Sequence, residues 1–169
     1  METKRTKGTK KRKATKVLFA VIYTLLQFTW GIVQNVIGGI LFALLGRGKA
    51  EIYRGALVRR WNLSGSMTLG MFILMDRGHG EDVLAHEWGH TVQSVILGPL
   101  YLVVVGIPSL TWAGLPYFER YRRRKNRSYY WLYCEAWATR IGNRPGTTAA
   151  TGDRRGGKTE KPIKNRFTA

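Results

Sequence analysis

Between Val17 and Leu45 the chain runs for 29 residues without a charge, VLFAVIYTLLQFTWGIVQNVIGGILFALL. About 20 apolar residues carry a helix across the hydrocarbon of a bilayer. The apolar core of a cleavable signal sequence is shorter, about 7–15 residues, and a core helix of a soluble protein rarely runs for about eight turns without a single charge. The run therefore predicts a membrane segment at 17–45. Gly31, Gln34, Asn35, Gly38 and Gly39 interrupt its middle, which leaves two forms open, one tilted span or a helical hairpin turning near its centre. Gln34 and Asn35 serve either as turn residues or as hydrogen-bonding groups between helices.

Charge is concentrated outside this run. The 169 residues carry a formal +18, and eight Lys/Arg fall within residues 1–16 against one acid, Glu2. Such an arm is too polar and basic to fold alone, so 1–16 is expected to be disordered, as is the Gly- and Thr-rich basic tail 142–169. Basic residues also follow the apolar run, at Arg47, Lys49, Arg54, Arg59 and Arg60. Basic flanks on both sides favour two cytoplasmic ends, the rival being a single span with an outward-facing domain. Basic blocks attract polyanions; anionic lipid is preferred over nucleic acid because the neighbouring stretches are membranous. The single cysteine, Cys134, excludes an intrachain disulfide and reads as a small half-buried residue.

The motif that carries chemistry is His86-Glu87-Trp88-Gly89-His90, inside a run read as helix from about Asp82 to Leu97. Residues four apart lie one above the other on a helix, so His86 and His90 can turn two imidazoles toward one tetrahedral zinc. Glu87, about 100° around the axis from His86, can address a water on that metal without ligating it. Upstream, 51–61 and 66–75 read as two strands joined at Asn62-Leu63-Ser64-Gly65, a β-hairpin. It either offers an edge to an extended peptide substrate or merely packs on the helix. In the loop Asp76–Gly80, His79 is an alternative ligand or a hydrogen-bond donor, and Asp82 is a candidate helix cap.

After Gly98-Pro99 comes an apolar stretch to Phe118, punctuated by Gly106, Pro108, Gly114 and Pro116. It is long enough to span. A crossing would separate His86 and His90 from everything after Glu119, including the best third ligand. Residues 98–118 are therefore read as a broken, re-entrant or interfacial element. The basic run at 118–127 would lie among headgroups with Tyr117, Phe118 and Tyr121.

That third ligand is Glu135, the one acid in a helix read over 128–141 with Ser128 as N-cap. Ala138 and Thr139 share its face, small enough for a close approach to the metal helix. A His86, His90, Glu135 set with water in the fourth position is a catalytic zinc pattern.

H-E-x-x-H followed on a later helix by E-x-x-A resembles the gluzincin clan of zinc metallopeptidases, and most of all its small membrane-embedded members. The stretch HTVQSVILGPLYLVVVGIPS is also similar to small bacterial membrane proteins with the same motif. In the clan the second pattern is often E-x-x-A-D, the Asp holding a histidine ligand; Thr139 stands in that place, an uncharged acceptor. The resemblance implies one Zn2+ per chain on His86, His90 and Glu135, Glu87 as general base, and a peptide or protein substrate. It also implies an oxyanion donor, for which Tyr129, Tyr130, Tyr133 and His79 are candidates. The expected fold is mainly α and membrane-associated, with a short β-hairpin, a zincin-like metal helix and a second ligand-bearing helix within a domain at 46–141. The expected location is a bacterial cell membrane with the catalytic domain on the cytoplasmic side. The alternative is a non-catalytic, basic membrane-surface or nucleic-acid-binding protein whose metal is structural or absent. Oligomeric state is left open.

Overall fold

A computed structural model describes residues 2–143. The chain is mostly helical around a small mixed sheet. Its elements are α1 (Glu2–Thr29), α2 (Ile32–Leu45), β1 (Arg47–Tyr53), β2 (Ala56–Trp61), β3 (Met67–Leu69), β4 (Phe72–Asp76), α3 (Glu81–Leu97), α4 (Ile107–Gly114), α5 (Pro116–Arg124) and α6 (Tyr133–Gly142). Short 3₁₀ turns at Gly98–Leu100 and Tyr129–Trp131 and a π turn at Leu102–Gly106 join the later helices.

Residues 2–16, expected to be disordered, continue α1. Lys, Arg and Ala propagate a helix well, and extending one that the apolar run already nucleates costs little. The apolar segment is neither a straight tilted helix nor an antiparallel hairpin. It breaks at Trp30-Gly31 and turns by 93°. Among the described residues no single helix is long and apolar enough to cross a membrane, whereas two bent pairs match in length and composition, the second being Leu102–Gly114 with Pro116–Arg124 at 75°. The corner is tied by Asn35, whose Nδ2 donates to the carbonyls of Gln27 (2.6 Å) and Gly31 (2.9 Å) and to Gln27 Oε1 (2.9 Å). Gln34 Nε2 reaches Ser94 Oγ and the Gly98 carbonyl, both at 3.0 Å. Both amides are therefore hydrogen-bonding groups between elements, not turn residues.

The expected single hairpin is corrected to a four-stranded sheet in the order β1-β2-β4-β3. β1–β2 and β3–β4 are antiparallel hairpins, and β2 pairs with β4 in parallel. The run read as one strand, 51–61, folds back at Arg54-Gly55, where φ is 49° and 90°. Two successive positive values make the tight turn that matches the strand twist, and glycine is the residue that takes the second without cost. Asn62–Gly65, expected as the hairpin turn, instead connects the two hairpins. The second turn, Gly70-Met71, seats against α2, with the Met71 N–H donating to Asn35 Oδ1 at 2.8 Å.

Alternation along β2 and β4 divides the core. Ala56, Val58, Ile73 and Met75 face α3 and pack on Leu84 and Trp88. Trp61 and Leu74 face the other way, onto Phe42 of α2. α3 therefore lies on one face of the sheet and α2 on the other. α6 docks along α3 so closely that a Cβ on Gly89 would overlap the Ala138 carbonyl. Ser128 caps the 3₁₀ turn at Tyr129–Trp131, accepting from the Tyr130 N–H, and α6 starts afresh after Leu132. Glycine rather than Asp82 precedes α3; Glu81 and Asp82 sit in its first turn, where they complement the helix dipole. Of the tail expected from 142 on, only Gly142 and Asn143 fall within the described residues.

Candidate metal centre

α3 brings His86 and His90 to the side facing α6, and the first turn of α6 presents Glu135 to them. Their ligand atoms lie within 4.8 Å of one another. His86 Nε2 stands 3.0 Å and His90 Nε2 3.4 Å from the same oxygen, Glu135 Oε2. Ligands about 2.0–2.1 Å from a tetrahedral zinc are themselves about 3.4 Å apart. The three side chains are buried, Glu135 completely.

The outer partners fix how the rings are protonated. Thr139 Oγ1 donates its only proton to the Glu135 carbonyl at 2.9 Å. Toward His86 Nδ1, 2.9 Å away, it must therefore accept, so Nδ1 carries the hydrogen. Gln93 behaves in the same way. Its Nε2 donates to the Cys134 carbonyl at 2.8 Å, which turns Oε1 toward His90 Nδ1 at 2.7 Å. With Nδ1 carrying the hydrogen, each imidazole in its neutral form aims an Nε2 lone pair at the same carboxylate oxygen, and in its protonated form donates to it. Three acceptors that meet in a buried site repel unless a cation or a proton lies between them. Burial opposes charge at both ends of this contact. For Glu135 the bonds with His86 and His90 outweigh burial and hold the carboxyl well below the usual range. For His90 burial is outweighed by Glu135 and Glu87, and its pKa is raised. The arrangement can hold a metal ion.

Glu87 is buried beside the cluster, and Thr68 Oγ1 donates to its Oε2 at 2.6 Å. One Glu87 oxygen is thus anchored. Thr68 is held in turn by Tyr101, whose hydroxyl donates to the Thr68 carbonyl at 3.0 Å. That bond, with α2 packed so tightly that a Cβ on Gly38 would meet the Leu69 carbonyl, covers the outer edge of β3. The strand nearest the site is therefore closed to an added peptide strand. The edge left open, β1, is on the far side of the sheet.

Of the donor candidates, Tyr130 lays its ring edge on His86, 5.0 Å between centroids. Tyr129 is near enough for the Glu135 charge to act on its phenol, whose pKa is raised by burial and then by that carboxylate; Ser109 of α4 bonds to both side chains. The other two are engaged elsewhere. Tyr133 donates its hydroxyl to the Val104 carbonyl, and His79 pairs through Nδ1 with Ser66 Oγ at 2.8 Å. Cys134 is buried, and burial followed by the Glu135 charge pushes its thiol up to about 12, an unreactive cysteine.

The structure brings together His86, His90 and Glu135, the three ligands expected from the sequence, and places Glu87 and Thr139 beside them; Gln93, Thr68 and Ser109 were not anticipated. Gln93 carried a usable signal, since it lies three residues after His90 and so shares its face. Thr68 and Ser109 come from other elements, and nothing local marks them. No family model, curated protein or solved structure matches the chain.

Proposed function

We propose that this chain is a membrane-associated zinc metallopeptidase of gluzincin type, with zinc on His86, His90 and Glu135 and Glu87 as its general base. The observation that carries the reading is the meeting of two imidazole lone pairs and a carboxylate oxygen, each aimed by a partner behind it. Zinc in such a site supplies Lewis acidity, acidifying water and polarising a carbonyl. The chain's own groups do the rest. Thr68 fixes one Glu87 oxygen, leaving the other to take a proton from the attacking water and pass it to the leaving amine. Tyr130 and Tyr129, beside His86 and Glu135, are the groups available to donate to the oxygen that gains charge. Covered as it is, the β3 edge supports a substrate bound at the α4–α6 side and not as an added strand.

Membrane association is supported by an inverted burial pattern. Along α1 and α2 the buried side chains include Tyr23, Gln27, Gln34 and Asn35, while Leu18, Phe19, Leu25, Phe28, Val36 and Ile40 are exposed. Polar groups turned inward and aliphatic groups outward suit hydrocarbon, not water. The bend between α4 and α5 supports a re-entrant element that leaves Glu135 on the side of His86 and His90, which the basic flanks make the cytoplasmic side of a bacterial membrane.

Metal analysis on the full chain purified in detergent tests the proposal. About one zinc per chain is expected, lost in His86→Ala and in Glu135→Ala but retained in Glu87→Ala, which should lack only peptide hydrolysis. A metal-free wild type would leave the non-catalytic, polyanion-binding alternative.

A further inference from the structure

We propose a phosphate site for an anionic lipid headgroup in the cleft between β1, the end of β2 and the loop after β4. The inference rests on the membrane-associated reading but not on zinc or hydrolysis. The open cleft, about 450 Å³, is lined by Arg47, Gly48, Lys49, Glu51, Arg60 and Arg77. Four cations therefore meet one carboxylate. Among the described residues the only ion pair of a Lys or Arg is Arg123 with Glu119, far along the chain, so none of the four stands at ion-pair distance from a carboxylate; the Asp76 charge acts on Arg60 at longer range.

The strand register makes this costly unless something anionic sits there. Arg47 is the direct cross-strand partner of Arg60, and like charges placed opposite one another destabilise a sheet. The pairing is held in place. Arg60 Nη1 donates to the carbonyls of Asp76 (3.1 Å) and His79 (2.8 Å), fixing the guanidinium beside Arg77. The irregular stretch between Arg47 and Glu51 is pinned by Arg59 Nε on the Gly48 carbonyl at 3.2 Å. Three guanidiniums and an ammonium around one concavity match the oxygens of a phosphate, which arginine binds in bidentate fashion.

The position selects a lipid as the source. Leu44, 70% exposed, and Leu45 end the outward apolar stripe of α2, and Gly46 alone separates them from Arg47. Lipid covering that stripe ends, whatever the tilt of α2, with its headgroups beside Arg47 and Lys49. Basic side chains in that layer are where anionic lipid is recognised.

The test is the thermal unfolding midpoint of the full chain in detergent, at constant ionic strength, on titration with dihexanoyl phosphatidylglycerol. A saturable rise of several degrees is expected, since a ligand that binds only the folded state stabilises it. Dihexanoyl phosphatidylcholine, inorganic phosphate and a single-stranded oligonucleotide should each give less than a third of that rise. The double variant Arg47→Gln/Lys49→Gln should lose it while keeping its metal, with a lipid-free midpoint at or slightly above that of wild type because the Arg47–Arg60 repulsion is relieved. If that variant fails to fold, Arg77→Gln in the exposed loop carries the test. Arg124→Gln in α5 should respond like wild type. The proposal is overturned if the cleft variants respond fully, if Arg124→Gln loses as much, or if any of the three controls matches phosphatidylglycerol. Zinc content, read on the same samples, reports separately on the metallopeptidase reading.

Discussion

The two faces of the small sheet are covered by helices built on opposite rules. On the α3 side, Ala56, Val58, Ile73 and Met75 bury apolar surface against Leu84 and Trp88, as in any core formed in water. On the other side lies the corner of α1 and α2. Phe42, with Leu41 beside it, joins a small apolar cluster there; Asn35 bonds to the turn between β3 and β4, and Gln27 and Gln34 reach α3 and the turn after it, while most aliphatic residues face outward. The first contact is made by exclusion of water; the second is a smaller apolar contact reinforced by hydrogen bonds to Thr91, Ser94, Gly98 and Met71. A layer that keeps its polar groups for its neighbours needs no water outside it.

The sharpest way to break this contrast is to truncate one isoleucine in each layer. Ile73→Ala, at a fully buried position on the α3 face, should cost roughly 2–5 kcal/mol in detergent, measured by chemical unfolding. Ile40→Ala, on the exposed side of α2, should stay within about 0.5 kcal/mol. Ile40→Asp should keep its metal in detergent yet be recovered poorly with membranes. Equal costs at positions 73 and 40 would mean that α2 buries its outer face against protein.

Next in size is Asn35→Leu. In a water-built core, an apolar group at a buried position is harmless or better. Here it strands the Met71 N–H and the Gln27 carbonyl, a loss of about 1–3 kcal/mol for each buried group left without a partner; the Gly31 carbonyl keeps the backbone N–H of residue 35. A neutral or stabilising result would end the claim that polar contacts hold the corner.

The candidate metal centre lies where α3 meets α6, and its outer partners are neutral. Thr139→Ala should lower zinc affinity about 10–100-fold, measured by competition with a chelator, because His86 Nδ1 loses its acceptor and its orientation. Thr68→Ala should leave the metal in place and slow turnover with little change in KM, with Thr68→Ser restoring it, because the hydroxyl orients Glu87 and does not touch the metal. Tighter zinc in Thr139→Ala, or zinc loss in Thr68→Ala, would reverse these assignments.

What the chain's letters reveal about this centre follows helical period. His86 with His90 and Glu135 with Thr139 are four apart, and the structure puts each pair on one face, as that spacing requires. The sheet was not legible to the same degree. Arg54-Gly55 is a weaker turn signal than Asn-Gly, and β-compatible residues flank it, so one long strand was the natural reading. The parallel pairing of β2 with β4 depends on docking against α2 and α3, which no local pattern encodes. The right-angle break at Trp30-Gly31 arises from a side chain, Asn35, that bonds back to the end of α1. Composition alone left such a residue free to act in a turn or between helices.

The smallest effect separates the two layers by pH. The amides that hold α1 and α2 carry no titratable group, so that layer should be indifferent to acid. The far end of the sheet is tied by Asp76, whose Oδ1 accepts from the Gly78 N–H at 2.8 Å and whose Oδ2 accepts from the Gly65 N–H at 3.0 Å. The Gly78 bond first and the Gly65 bond second hold the carboxyl below its ordinary range. A carboxyl lowered in the folded state contributes stability that is present above its unfolded pKa and is lost as pH falls through the folded one. Wild type should therefore be slightly more stable than Asp76→Asn at pH 7, and the gap should close between about pH 4 and pH 2. Because this carboxyl is near solvent, the gap should be a degree or less in unfolding midpoint. The comparison cancels the acid sensitivity of Glu135, which both chains share. A gap that persists undiminished at pH 2 would show that Asp76 acts through shape and not through its charge.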